Sequence, residues 1–137
     1  MTCVKGGFIH RRHDDLRDLV ADLMNETFNE VITEPGLQPL TGEVMKKGSN
    51  TSEEARLDIA ARSFWQRGEM AFFDVRIFNP FAKCNQSQKL QKVFESQEKE
   101  KKRSYNHRVI QIEHGSFSPL VFSCYGGYGK ETERALN

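Results

Sequence analysis

The segment MAFFDVRIFN, residues 70–79, constrains the fold of this chain more than any other. Read as a strand, it sets Phe72, Asp74 and Arg76 on one face and Phe73, Val75 and Ile77 on the other. Both faces are largely apolar, so the strand needs cover on both sides and belongs in the middle of a sheet. A second strand-like run, ARLDIAAR at residues 55–62, precedes it. The short connection around Gly68 suits an antiparallel hairpin better than a crossover. Each run carries a central aspartate, Asp58 in the first and Asp74 in the second. An unpaired buried charge costs several kcal/mol or more, so partners are expected for both.

The flanking segments supply the covering layers. Leu16, Leu19, Val20, Leu23, Met24, Phe28 and Val31 recur at helical spacing and predict a helix over 14–32, with Asp14 and Asp15 at its positive end. Pro35, Gly36 and Pro39 break it, leaving room for a short strand near 31–37 and then a long polar loop over 44–55. A second helix is expected over 86–106. Its stripe of Leu90, Phe94 and Gln97, with Val93 beside it, continues toward the C-terminal end as Lys101 and Tyr105. RVIQIEH (108–114) reads as a strand, Gly115 as a turn and SPLVFSC (118–124) as a further strand. YGGYG (125–129) lacks the strand–loop–helix context and Lys-Ser/Thr of a phosphate loop and reads as a turn, and KETERALN begins a helix.

The expected fold is therefore α/β, a small mixed sheet flanked by helices in the order α-β-β-β-α-β with an extra C-terminal strand. With 137 residues, 37% hydrophobic and 28% charged, the chain suits one ordered domain over 1–137. No apolar run approaches the roughly 20 residues of a membrane span. The net charge of +1 is uninformative, but residues 99–108 hold Lys99, Lys101, Lys102, Arg103 and Arg108 against Glu100 alone. Cys3, Cys84 and Cys124 are scattered and odd in number, which argues against a disulfide framework and for a reducing intracellular compartment. Cys3, His10 and His13 do not complete a tetrahedral zinc site.

In this layout Asp58 and Asp74 fall on neighbouring strands, and Lys101 reaches the same place from the covering helix. Two carboxylates and a backbone carbonyl are hard oxygen donors of the kind Mg²⁺ takes, and Mn²⁺ can substitute. A lysine beside them orients a nucleophile or offsets developing charge.

RLDIAARSFWQRGEMAFFDVRIFNP followed by KEKKRSYNHRV resembles the restriction-like endonuclease domain of site-specific non-LTR retrotransposons, a branch of the PD-(D/E)xK nuclease superfamily. Asp58, Asp74, Lys101 and Tyr105 match the family's two acidic residues and its helix-borne lysine and tyrosine in order. Arg12, His13 and Asp14 match its Arg-His-Asn/Asp helix start. Leu57 stands where the family places proline, and Arg76 stands where its lysine usually lies.

The resemblance implies a restriction-endonuclease-like core that hydrolyses DNA phosphodiesters with Mg²⁺ on Asp58 and Asp74. Lys101, Tyr105 and Arg76 would support the site, and Lys102, Arg103 and Arg108 would contact nucleic acid. It also implies a nuclear or intracellular setting and residues 1–13 as the remnant of an upstream knuckle region with Cys3 as its last ligand. The partners implied are DNA and the reverse transcriptase portion of a parent polyprotein.

The residues by themselves leave alternatives. Asp58 is either a metal ligand or the ion-pair partner of Arg56, Arg62 or Arg76, and Arg76 is either a site cation or the partner of Asp74. Lys102 competes with Lys101 for the inward position. Tyr105 and His13 each have a packing role as an alternative to a site role, Glu34 is a further candidate carboxylate, and Trp65 either stacks on a base or caps the sheet edge. Three functions follow: a metal-dependent endonuclease, a silent nucleic-acid-binding remnant, and an interaction scaffold.

Overall fold

A computed structural model describes residues 7–38, 40–52, 54–79, 89–123 and 127–136. Among them are three helices, α1 (Gly7–Asn25), α2 (Leu90–Arg108) and α3 (Lys130–Leu136). Four strands, β1 (Val31–Thr33), β2 (Ile59–Arg62), β3 (Met70–Phe78) and β4 (Ser116–Ser123), form one sheet in the order β1-β2-β3-β4. The first three strands are an antiparallel meander, and β4 runs parallel to β3. The chain is thus a mixed α/β protein.

The central strand behaves as its two apolar faces require. Ala71, Phe73 and Val75 point into a core built with Val20, Ala21 and Met24 of α1 and with Ile59, Ala61 and Leu120. On the opposite face Phe72 packs with Ala60, Val109 and Phe117, and Phe78 packs with Val93 and Phe94 of α2 and with Val121. Phe73 is fully buried, and truncating such a residue to alanine costs about 3–5 kcal/mol.

Several element boundaries differ from the sequence expectation. Helix α1 starts at Gly7 and stops at Asn25, so Asp14 and Asp15 lie mid-helix rather than at its positive end. Phe28 and Val31 keep their apolar role without the helix: Phe28 stacks on Phe64 with ring centroids 4.9 Å apart, and Val31 pairs with Ala61. β1 is shorter than 31–37 because Glu34 takes a left-handed backbone (φ 52°), which ends the regular ladder. β2 likewise starts at Ile59, four residues after the expected start, with residues 55–57 bonded to 35–37 instead.

The segment 108–114 is not a strand. Arg108 ends α2, residues Val109–Glu113 continue it as a π-helical turn, and His114 closes it in the left-handed region (φ 55°). The extra strand is therefore absent, and the fourth strand is 116–123. The β-branched residues of VIQI favour a strand locally, but helix continuation buries Val109 completely against Phe72 and Phe117. Gly115 then admits the close passage of Met70, whose carbonyl oxygen would collide with any Cβ there.

β4 is an edge strand, and residues 127–132 close that edge. Val121 donates to Thr132 Oγ1 (2.9 Å) and accepts from Gly129 N–H (3.0 Å), while Ser123 donates to Gly127 (2.7 Å). Pro119, two residues before Val121, shares its outward orientation, so its missing N–H costs the ladder with β3 nothing. No helix among the described residues is long and apolar enough to cross a membrane. The cysteines and residues 1–6, including the knuckle reading on Cys3, lie outside the described residues.

Candidate active site

The sheet opens where β2 begins. Ile59 is the first β2 residue paired with β3, opposite Phe73, so the β2-side edge of β3 beyond Phe73 is left without a strand. Asp58, one residue before β2, fills part of this notch: its Oδ2 accepts the Val75 N–H at 2.6 Å. The Val75 carbonyl takes a hydrogen bond from His13 Nε2 of α1 at 2.9 Å, and the same nitrogen lies 3.2 Å from Asp58 Oδ2. Among the described residues, Asp58 therefore forms no ion pair with Arg56, Arg62 or Arg76. Arg62 pairs with Glu30, and Arg76 lies 3.5 Å from Glu100.

Asp74 points to the α2 side of β3, where Lys101 Nζ stands 2.8 Å from its Oδ2. Lys102 instead bonds Glu131 of α3 at 2.7 Å, so of the two lysines it is Lys101 that turns to Asp74. Although the ion pair is close, no hydrogen bond of good geometry reaches Asp74 Oδ2. Burial pushes the Asp74 carboxyl up to about 7 against the pull of Lys101, and a hydrogen bond with the Asp58 carboxylate adds to the rise. Burial also opposes charge on Asp58, but hydrogen bonds from His13 and Asp74 hold that carboxyl below its usual range. The hydrogen bond to Asp58 is in turn the main reason His13 keeps its proton up to about 9. The two carboxyls titrate together, Asp58 biased toward the ionised form and Asp74 toward the protonated one.

No protein-family model, curated protein or solved structure matches this chain. The local chemistry is nevertheless specific. Asp58 Oδ2 and the Val75 carbonyl share His13 Nε2, the Asp58 and Asp74 carboxyls are hydrogen-bonded, and the buried Asp74 Oδ2 has Lys101 Nζ at 2.8 Å as its nearest cation. That set suits Mg²⁺, which takes one or two carboxylates and keeps water or phosphate oxygens in its other positions. Among the described residues no group of three or more His, Cys, Asp or Glu side chains gathers around a metal position, so a site here would rest on the two aspartates and backbone.

The remaining candidates fall into place around this centre. Arg76 is buried on the Asp74 face and keeps one guanidinium nitrogen, Nη2, without an acceptor. Tyr105 lies under Lys101, whose ammonium is 5.9 Å from the ring centroid, while its hydroxyl accepts from Asn50 Nδ2 at 3.1 Å. Tyr105 thus shapes the lysine's surroundings and anchors the 44–52 loop. Arg103 is exposed, and with Lys92 and Lys99 it lines a shallow trough along α2.

Arg108 is corrected. It is fully buried, and its guanidinium donates to the carbonyls of Asn50 (3.0 Å), Ser52 (2.8 Å) and Gln38 (2.9 Å). It holds the long loop against the end of α2 and is not a surface contact for phosphate. Glu34 turns to Arg17 at 3.1 Å, away from Asp74. Trp65 packs on Phe64 and Phe73 beneath Arg134, as a core cap.

Two members of the site were underweighted by sequence reasoning. His13 was matched to the helix start of the resembling family, but nothing local to it indicates a contact 45 residues away. Glu100 beside Lys101 is the carboxylate facing Arg76. Its position within the basic run gave the available signal.

Proposed function

We propose that this chain is a metal-dependent endonuclease domain that hydrolyses DNA phosphodiester bonds. The observation that carries the reading is the pair of hydrogen-bonded carboxyls at the start of β2, Asp58 and Asp74, with Lys101 Nζ 2.8 Å from Asp74. The order of elements, with an antiparallel meander, a covering helix and a strand parallel to the third, supports a restriction-endonuclease-like core.

Asp58 and Asp74 would hold Mg²⁺ or Mn²⁺, which when bound acidifies water and offsets charge on the phosphate. Lys101, 2.8 Å from Asp74, would hydrogen-bond and orient a water there. Arg76, buried beside Asp74, would supply positive charge behind the phosphate, a role that needs charge rather than proton transfer. In the reaction a water oxygen bonds to phosphorus, one P–O ester bond breaks, and the leaving oxygen takes up a proton. Lys92, Lys99, Lys102 and Arg103 would meet the DNA backbone without reading sequence. A nuclear or other intracellular setting and a parent polyprotein with a reverse transcriptase fit this reading.

A second reading, a silent DNA-binding remnant, is favoured by Arg76 at the usual lysine position and by the small acidic cluster. The test is nicking of supercoiled plasmid with Mg²⁺, Mn²⁺ or EDTA. Nicking that requires metal supports the enzyme; salt-sensitive DNA binding by folded protein without nicking supports the remnant.

A further inference from the structure

His13 stands where a cation bound to this notch would stand. Its Nε2 is within hydrogen-bonding distance of two oxygens at once, the Val75 carbonyl at 2.9 Å and Asp58 Oδ2 at 3.2 Å. Those are two of the three donors that the proposed endonuclease centre offers to a metal. To bond a carbonyl, Nε2 must carry its hydrogen, so its lone pair is not available as a ligand. The other ring nitrogen faces Asp14 Oδ1 at 3.2 Å. The imidazole thus presents N–H groups to acceptors on both sides, in the position of a small internal cation.

We propose that His13 is an internal occupant of the cation seat, and that divalent metal binds by exchange, displacing the imidazole from Asp58 and Val75. The inference rests on the metal-dependent reading of this site. It accounts for an arrangement otherwise hard to explain: a helix on one face of the sheet sends a side chain into the notch to bond a backbone carbonyl and a carboxylate already satisfied by Val75 N–H. The ring has a way out. The His13 side chain is 27% exposed, and its neighbours Arg12 and Asp14 face solvent.

In the absence of metal the imidazole keeps the Val75 carbonyl partnered and sets a positive group against Asp58, so the notch does not leave a buried acceptor bare. Metal affinity is reduced by the free energy of the displaced contacts. Two hydrogen bonds, one to a carboxylate, correspond to a reduction of at least about 30-fold.

The test is equilibrium binding of Mn²⁺, read by the electron paramagnetic resonance signal of free metal, to the wild-type chain, His13→Ala and Asp58→Asn. Folding of each is checked by circular dichroism. Exchange predicts at least about 30-fold tighter binding by His13→Ala than by wild type, and loss of binding in Asp58→Asn. In the wild-type chain, ¹⁵N NMR should show the His13 Nε2–H hydrogen bond lost on saturation with Mg²⁺, a readout that stands even if His13→Ala does not fold.

Weaker binding by His13→Ala would make the histidine a ligand and overturn the exchange. Unchanged binding, or an imidazole signal that persists at saturation, would overturn it also. In those cases the metal site itself survives. No Mn²⁺ binding by any of the chains would remove both the exchange and the metal-dependent reading.

Discussion

Lys101 Nζ stands 2.8 Å from Oδ2 of the buried Asp74, yet the carboxyl resists ionisation. A lysine at that distance ordinarily lowers a carboxyl pKa. Here burial wins, and the neighbouring Asp58 charge reinforces it. Two adjacent carboxylates repel one another even with Lys101 and His13 beside them, and a proton on Asp74 relieves the repulsion.

The first prediction concerns pH. Asp74 keeps its proton to about 7 in the folded protein, while an unfolded aspartate releases it near 3.8. The stabilisation that this proton provides is present below about pH 4 and is lost as pH rises toward 7. Asp74→Asn removes that loss. In EDTA its melting temperature should approach that of the wild type at pH 5 and exceed it at pH 8, equivalent to about 1–3 kcal/mol. A difference that does not change across this range would mean Asp74 is ionised throughout.

His13 carries the opposite kind of group with the same direction of change. Its pKa is raised from 6.5 to about 9 chiefly by Asp58, so its contribution is complete below pH 6.5 and disappears as pH rises through 9. His13→Gln should cost about 1–3 kcal/mol at pH 6 and much less at pH 9.5, after discounting for partial exposure. Thermal melts at the two pH values decide this. Equal losses at both would show that the histidine acts by packing alone.

Arg108 separates a structural cation from DNA-facing ones. Arg108→Ala leaves the carbonyls of Gln38, Asn50 and Ser52 without their donor and should cost about 3–5 kcal/mol in urea unfolding. It should not alter the salt dependence of DNA binding. Arg103→Ala should do the reverse, with little effect on stability and a slope of log K against log salt reduced by about one. A full-strength effect of Arg108→Ala on the salt slope, in folded protein, would return it to the DNA surface.

The Asp74–Lys101 pairing was legible because it follows from two periodicities, alternation along β3 and the continuation of the α2 stripe through Gln97 to Lys101. The order of the core elements was legible for the same reason. The partner of Asp58 was not. It comes from α1, packed on the opposite face of the sheet, and a meeting between His13 and Val75 depends on where β2 starts. Helix α1 was mis-bounded because Phe28 and Val31 bury equally well from a turn and a strand. Arg108 read as part of a solvated basic run because the carbonyls that enclose it belong to a loop folded back across α2. The β-branched alternation in 109–112 satisfied the strand pattern, and tertiary burial of Val109 overrode it.

The most direct measurement is the initial rate of plasmid nicking in Mg²⁺ by wild type, Asp58→Asn and Asp74→Asn, purified identically and shown to be folded. Chemistry centred on the two aspartates predicts metal-dependent nicking by the wild type, reduced at least about 100-fold in each variant. Nicking by either variant at near the wild-type rate would remove that aspartate from the site and contradict the assignment.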